Sequence, residues 1–200
     1  MGASKPNKEL MEAMRAAERA AVENAPTDQI YGVRLGESPL AAWPLEPCSI
    51  VFLDFDGVLN SDRSTRELGT RYRFSPTSVQ AFNSVLRESD ARIVISSSWR
   101  ENWTLKENAQ FLERDGVVPG RVIGKTPTLD AERGLEIDAW LSSVPYPMKS
   151  FVILDDREDM AMHCDRLVRV DPVVGITIAQ AQHAIEILAR PWTRHSFRDA

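Results

Sequence analysis

The chain has 200 residues, ordinary apolar content and a formal net charge of -5. That length suits one compact core, and that charge excludes a broad electrostatic footprint for duplex nucleic acid while leaving room for a local basic patch. Cys48 and Cys164 are too few for a cysteine-rich zinc site and read as small buried residues of a reducing compartment. No apolar run approaches membrane-spanning length and the opening MGASKPNKEL lacks the apolar centre of a signal peptide, so a cytoplasmic protein with no membrane partner is expected.

From Asn7 to Asn24 the chain is alanine-rich and charged, with Leu10, Met14, Ala17 and Ala21 on one helical stripe. This predicts a weakly apolar helix, either a loosely packed extension or a partner-binding element. Pro26, Pro39, Pro44 and Pro47 then mark an irregular arm, so residues 1–48 precede a domain that starts near Ser49. Ile50 to Leu53 is a buried-strand run. Ser75 and Pro76 open a helix whose apolar face is Val79, Phe82, Val85 and Leu86. RIVISS from Arg92 is the next strand, Leu105 to Arg114 a helix, and Arg121 to Gly124 a short strand. Asp130 can cap a helix carrying Leu135, Ile137, Trp140 and Leu141. FVIL from Phe151 and RLVRV from Arg166 are further strands, and Ile178 to Ala189 is a helix with Ala181, Ile185 and Leu188 inward. Residues 191–200 form a polar tail.

Strands alternating with helices predict parallel pairing through right-handed crossovers, hence an α/β fold: a three-layer α/β/α sandwich over residues 49–190. Ligands of such a sheet bind beyond the carboxyl ends of its strands. The strong strands here end in Asp54 and Asp56, in Ser96, Ser97 and Ser98, and in Asp155 and Asp156. Carboxylates gathered at one edge are costly without positive charge between them, and hard oxygen donors with little sulfur or imidazole nearby favour magnesium.

DFDGVLN, IVISSSWR and VILDD resemble, in order, the first, second and fourth motifs of the haloacid dehalogenase (HAD) superfamily of phosphotransferases. More narrowly, GKTP, RGLEIDAWL and DPVVGIT are similar to the HAD domain of Swiss Army knife RNA repair proteins. The resemblance implies a Rossmann-like parallel sheet and a magnesium-dependent phosphomonoester hydrolase. Asp54 would be the nucleophile, passing through an aspartyl-phosphate, and Asp56 the general acid and then base. Asp155 would hold magnesium with Asp54 and the backbone carbonyl of Asp56, and Asp156 would join through water. Asp159 would steady this shell or start a surface helix. Ser96, or Ser97 if the strand runs one residue longer, would bind a phosphoryl oxygen.

For the basic residue of the third motif there are two candidates, Lys125 and Arg133. Arg133 is preferred because a guanidinium at that helix start reaches carboxylates and phosphoryl group alike. Lys125 then binds substrate or is a loop lysine. Trp99 and Arg100 lie near the pocket mouth, and either contact a nucleotide-like substrate or respectively pack a helix start and pair with an acid. His163, His183 and His195 lack ligand spacing.

The gaps between motifs are too short for a cap domain, so a minimal cap and an exposed site are expected, open to a nucleic-acid end or a nucleotide. SDRSTRELGTRYRF carries Arg63, Arg66, Arg71 and Arg73, which read as a solvated hairpin edge or as phosphate-recruiting arginines. The rival function is a HAD-like nucleic-acid or protein binding module without turnover. Phosphoryl transfer to an acceptor other than water would use the same residues.

Overall fold

The computed structural model describes residues 46–129, 131–144 and 148–193. The helix expected over Asn7–Asn24, Asp130, His195 and most of the polar tail lie outside them.

Five parallel strands form one sheet: β1 (Ser49–Leu53), β2 (Arg92–Ile95), β3 (Val122–Lys125), β4 (Ser150–Asp155) and β5 (Leu167–Arg169), in the order β3-β2-β1-β4-β5. Every residue of β1 and β4 is buried, as parallel strands covered on both faces require. The helices are α1 (Asp62–Leu68), α2 (Pro76–Ser89), α3 (Trp99–Asn102), α4 (Leu105–Arg114), α5 (Arg133–Ser143) and α6 (Ile178–Leu188), with a 3-10 turn over Ala161–Arg166. On one face Ile50, Phe52, Phe151 and Ile153 share a buried cluster with Ile137, Trp140 and Leu141 of α5. Val51, Leu53, Val152 and Leu154 point the other way and are equally buried, so the second face is covered too, with α2 and α6 packed on each other and α6 on β4. The α/β/α sandwich expected from the alternation of elements is the architecture observed.

Local differences have local causes. The first half of the arginine-rich stretch after the first motif, with Arg63 and Arg66, is a helix rather than a hairpin edge, while Arg71 and Arg73 follow it in a loop: Ser61 caps α1 in a reciprocal box with Ser64, and Gly69 ends it at φ 70. A serine in place of the usual acid hides that box. The helix start offered as one reading of Trp99 is α3, a single turn, and β3 ends at Lys125 rather than Gly124. α5 begins at Arg133 with Glu132 before it, whose side chain makes no cap. Leu135 of this helix is exposed, and in α6 Ala184 and Ile187 turn inward more fully than Ile185. Cys48 is buried, Cys164 is exposed, and both are free. His163 is buried against Phe151, their ring centroids 5.4 Å apart, and Trp192 packs on the same phenyl ring at 5.3 Å. Among the described residues no helix is long and apolar enough to cross a membrane.

Candidate active site

The sheet order reverses at β1 and β4, and the expected acids sit there. β1 lies between β2 and β4, so register alone aligns three strand ends. The Asp54 N–H donates to Leu154 O at 3.0 Å and the Ser96 N–H to Leu53 O at 3.0 Å. Carboxylate oxygens of Asp54, Asp155 and Asp156 come within 4.8 Å of one another. Asp155 is fully buried and Asp54 nearly so. Burial pushes the Asp54 carboxyl above its usual range, against the pull of Arg133, the Ser97 hydroxyl and the Phe55 N–H. Burial, then the charge of Asp54, pushes Asp155 up to about 7. Asp156 is raised by the same two causes.

Asp155 Oδ1 accepts the Arg157 N–H at 3.0 Å, whereas Oδ2 is buried without a hydrogen-bond partner. An orphaned acidic oxygen facing two more carboxylates fits a hard cation. The donor set is all oxygen, which suits magnesium.

After Asp54 the chain curls through Gly57, at φ 78. A Cβ there would lie 2.6 Å from Asp156 Oδ2, so the absent side chain is what admits that carboxylate. The curl turns Asp56 back over the strand end, where it takes three donors: Asn60 Nδ2 at 2.8 Å, Arg71 Nη2 at 2.7 Å and Trp99 Nε1 at 3.0 Å. Trp99 is wedged among Phe55, Tyr72, Phe74 and Phe111. At 5% exposure it offers no stacking face, which corrects the substrate-stacking alternative: its ring packs and its N–H holds Asp56.

Of the two basic candidates, Arg133 is the one brought to the acids. Its Nη2 is 3.5 Å from Asp54 Oδ2 and its Nε 3.7 Å from Asp155 Oδ2. Lys125, at the end of β3, donates to Arg100 O at 2.9 Å, and burial followed by the charge of Arg100 pulls its pKa down. Arg100 is not at a pocket mouth. It is 3% exposed and its guanidinium is engaged with Ser96 O, Ser97 O, Pro127 O and Glu136, so of its two readings pairing with an acid is the one observed and the phosphate contact is not. Ser97 presents its hydroxyl to Asp54, while Ser96 Oγ is buried without a partner.

Several residues of the site went unassigned in the sequence. Asn60, the last letter of DFDGVLN, braces Asp56, and Glu136 pairs with Arg100. Asp159 joins both readings made of it: its Oδ2 accepts the Arg133 N–H at 3.1 Å and its carbonyl the Gly134 N–H at 2.9 Å, so it caps the helix start that carries the site's arginine. The adjacent arginine and glycine of RGLEIDAWL were the available signal.

A five-stranded parallel sheet with two acids after its central strand, serines on one flank and paired acids on the other defines a HAD-type domain. The family model for the HAD domain in Swiss Army Knife RNA repair proteins matches residues 50–181, and the chain belongs to that family. The crystal structure of the Legionella pneumophila effector Ceg4 is similar at 13% identity and a TM-score of 0.45, over 72% of this chain and 96% of that one. No curated protein matches the chain.

Proposed function

We propose that the protein is a magnesium-dependent phosphomonoester hydrolase acting on nucleic-acid ends or nucleotides. The observation that carries this reading is the buried Asp54–Arg133–Asp155 arrangement, two close carboxylates sharing one guanidinium, with Asp155 Oδ2 facing that guanidinium but accepting no hydrogen bond.

In this reading an Asp54 oxygen attacks phosphorus in line, and the bond to the leaving oxygen breaks as Asp56 gives that oxygen a proton. Asp56 then takes a proton from water, whose oxygen attacks the aspartyl-phosphate, releasing inorganic phosphate and restoring Asp54. Arg133 and the second-motif hydroxyls hold the phosphoryl oxygens, Ser97 from beside Asp54. Asp54, Asp155, Asp156 and the Asp56 carbonyl would hold magnesium, which supplies positive charge between the anionic nucleophile and the phosphate. The substrate class draws on two supports. The insert between the first motif and α2 contains only α1 and its flanking loops, leaving no separate cap among the described residues, and the family is named for RNA repair.

Phosphate release from oligonucleotides with 3′ or 5′ phosphates, nucleotides and sugar phosphates, with and without magnesium, tests the proposal. Magnesium-dependent release that Asp54→Asn abolishes supports it. Stable RNA or protein binding without turnover supports the binding-module reading instead.

A further inference from the structure

We propose that Arg100, paired with Glu136, is a positioning residue that shapes the turn after β2 into a phosphoryl-binding nest. The inference rests on the phosphatase reading above and adds two residues outside the Asp54, Asp155 and Asp156 cluster.

Arg100 Nη1 donates to two successive carbonyls, Ser96 O at 2.7 Å and Ser97 O at 2.9 Å. Its Nη2 donates to Glu136 Oε2 at 2.5 Å and to Pro127 O at 3.4 Å. Each gripped carbonyl belongs to a trans peptide whose N–H points the opposite way. Holding Ser96 O therefore aims the Ser97 N–H away from the guanidinium, and holding Ser97 O does the same for Ser98. Among the described residues neither N–H has a hydrogen-bond partner. Two adjacent unpaired N–H groups at the end of β2, the strand beside β1, form an anion-binding concavity. Their orientation is set before a phosphoryl group arrives, which is where preorganised donors gain their effect.

The cation that does this is itself deeply buried, and burial pushes its pKa down against the pull of Glu136. An apolar pair would fill this volume at no such desolvation cost, so the charges are better explained by what they hold in place than by stability. Glu136 ties the same clamp to neighbouring elements. Its Oε1 accepts the Leu129 N–H at 3.0 Å, and it lies one turn after Arg133 on α5. Only a guanidinium fork reaches two carbonyls and a carboxylate together.

The test compares wild type, the double variant Arg100→Met/Glu136→Leu and Arg100→Lys. The double variant removes both charges and leaves neither buried alone. Orthovanadate inhibition and kcat report the nest, and the magnesium-induced rise in Tm reports the acid cluster. The expected result is an unchanged magnesium response in the double variant, a fall in kcat on the order of a hundredfold and a parallel weakening of vanadate inhibition, with Arg100→Lys in between. Should the double variant not fold, Arg100→Lys gives the same readout, because lysine keeps a charge for Glu136 but cannot span both carbonyls. Wild-type kcat and vanadate inhibition in a folded variant overturn this inference alone. A wild type that neither turns over nor responds to vanadate overturns the phosphatase reading and this inference with it.

Discussion

The Asp159 carboxylate accepts the backbone N–H of Arg133 at 3.1 Å, so a residue four places after Asp155 sets the start of the helix that delivers a guanidinium to Asp54 and Asp155. Gly134 lets that helix come down onto the same loop, since a Cβ there would lie 2.1 Å from the Met160 carbonyl carbon. Backbone cannot yield as a flexible side chain does. Gly134→Ala is expected to cost about 1–3 kcal/mol or more and to lower kcat by shifting Arg133. Asp159→Ala, a lost cap, should cost about 1 kcal/mol. Urea unfolding alongside kinetics checks both.

Arg133 and Lys125 differ in what their charges touch. Arg133→Met leaves two buried acids without their shared cation and should lower kcat/KM by roughly a hundredfold or more. Lys125→Met removes a donor to a backbone carbonyl and should have a far smaller effect. Equal losses would contradict the assignment of Arg133 as the basic residue of the site.

The pH response of the metal-free protein follows from Asp155, raised from 3.8 to about 7. The folded state binds this proton more tightly than the unfolded chain does, so the contribution is fully present below about pH 4 and is lost as pH rises through 7. Thermal melts in EDTA should show wild type losing stability relative to Asp155→Asn across that window. Magnesium competes with the same proton, so its stabilising shift should grow with pH and reach about 2.7 kcal/mol at a hundredfold excess over Kd.

Trp99→Phe keeps a ring among Phe55, Tyr72, Phe74 and Phe111 but deletes the N–H that holds Asp56. A stability change within about 1.5 kcal/mol is expected. kcat should fall more for alkoxide leaving groups, which need a proton, than for nitrophenolate, which does not. A series of leaving groups checks this.

The strands and the acids were legible because they are local signals: IVFLD and FVILDD each carry a buried run and its terminal carboxylates in one stretch of chain. Parallel register then aligns them without further information. The supporting contacts were not legible, because they join distant segments. Arg71 and Trp99 meet at Asp56 from opposite sides of α2, and Arg100 finds Glu136 on another helix. A lone arginine after SSSW carries nothing to say whether it faces phosphate or a buried glutamate. The helix α1 was hidden because its cap is a serine pair and its short length shows no apolar stripe.

Covalent attack by Asp54 is the step on which the proposed function depends. Acid-quenched mass spectrometry of the protein mixed with magnesium and a turned-over phosphomonoester tests it most directly. A phosphoryl adduct is expected on the peptide carrying Asp54, absent from Asp54→Asn. Phosphate release that proceeds with no adduct and survives Asp54→Asn would contradict it.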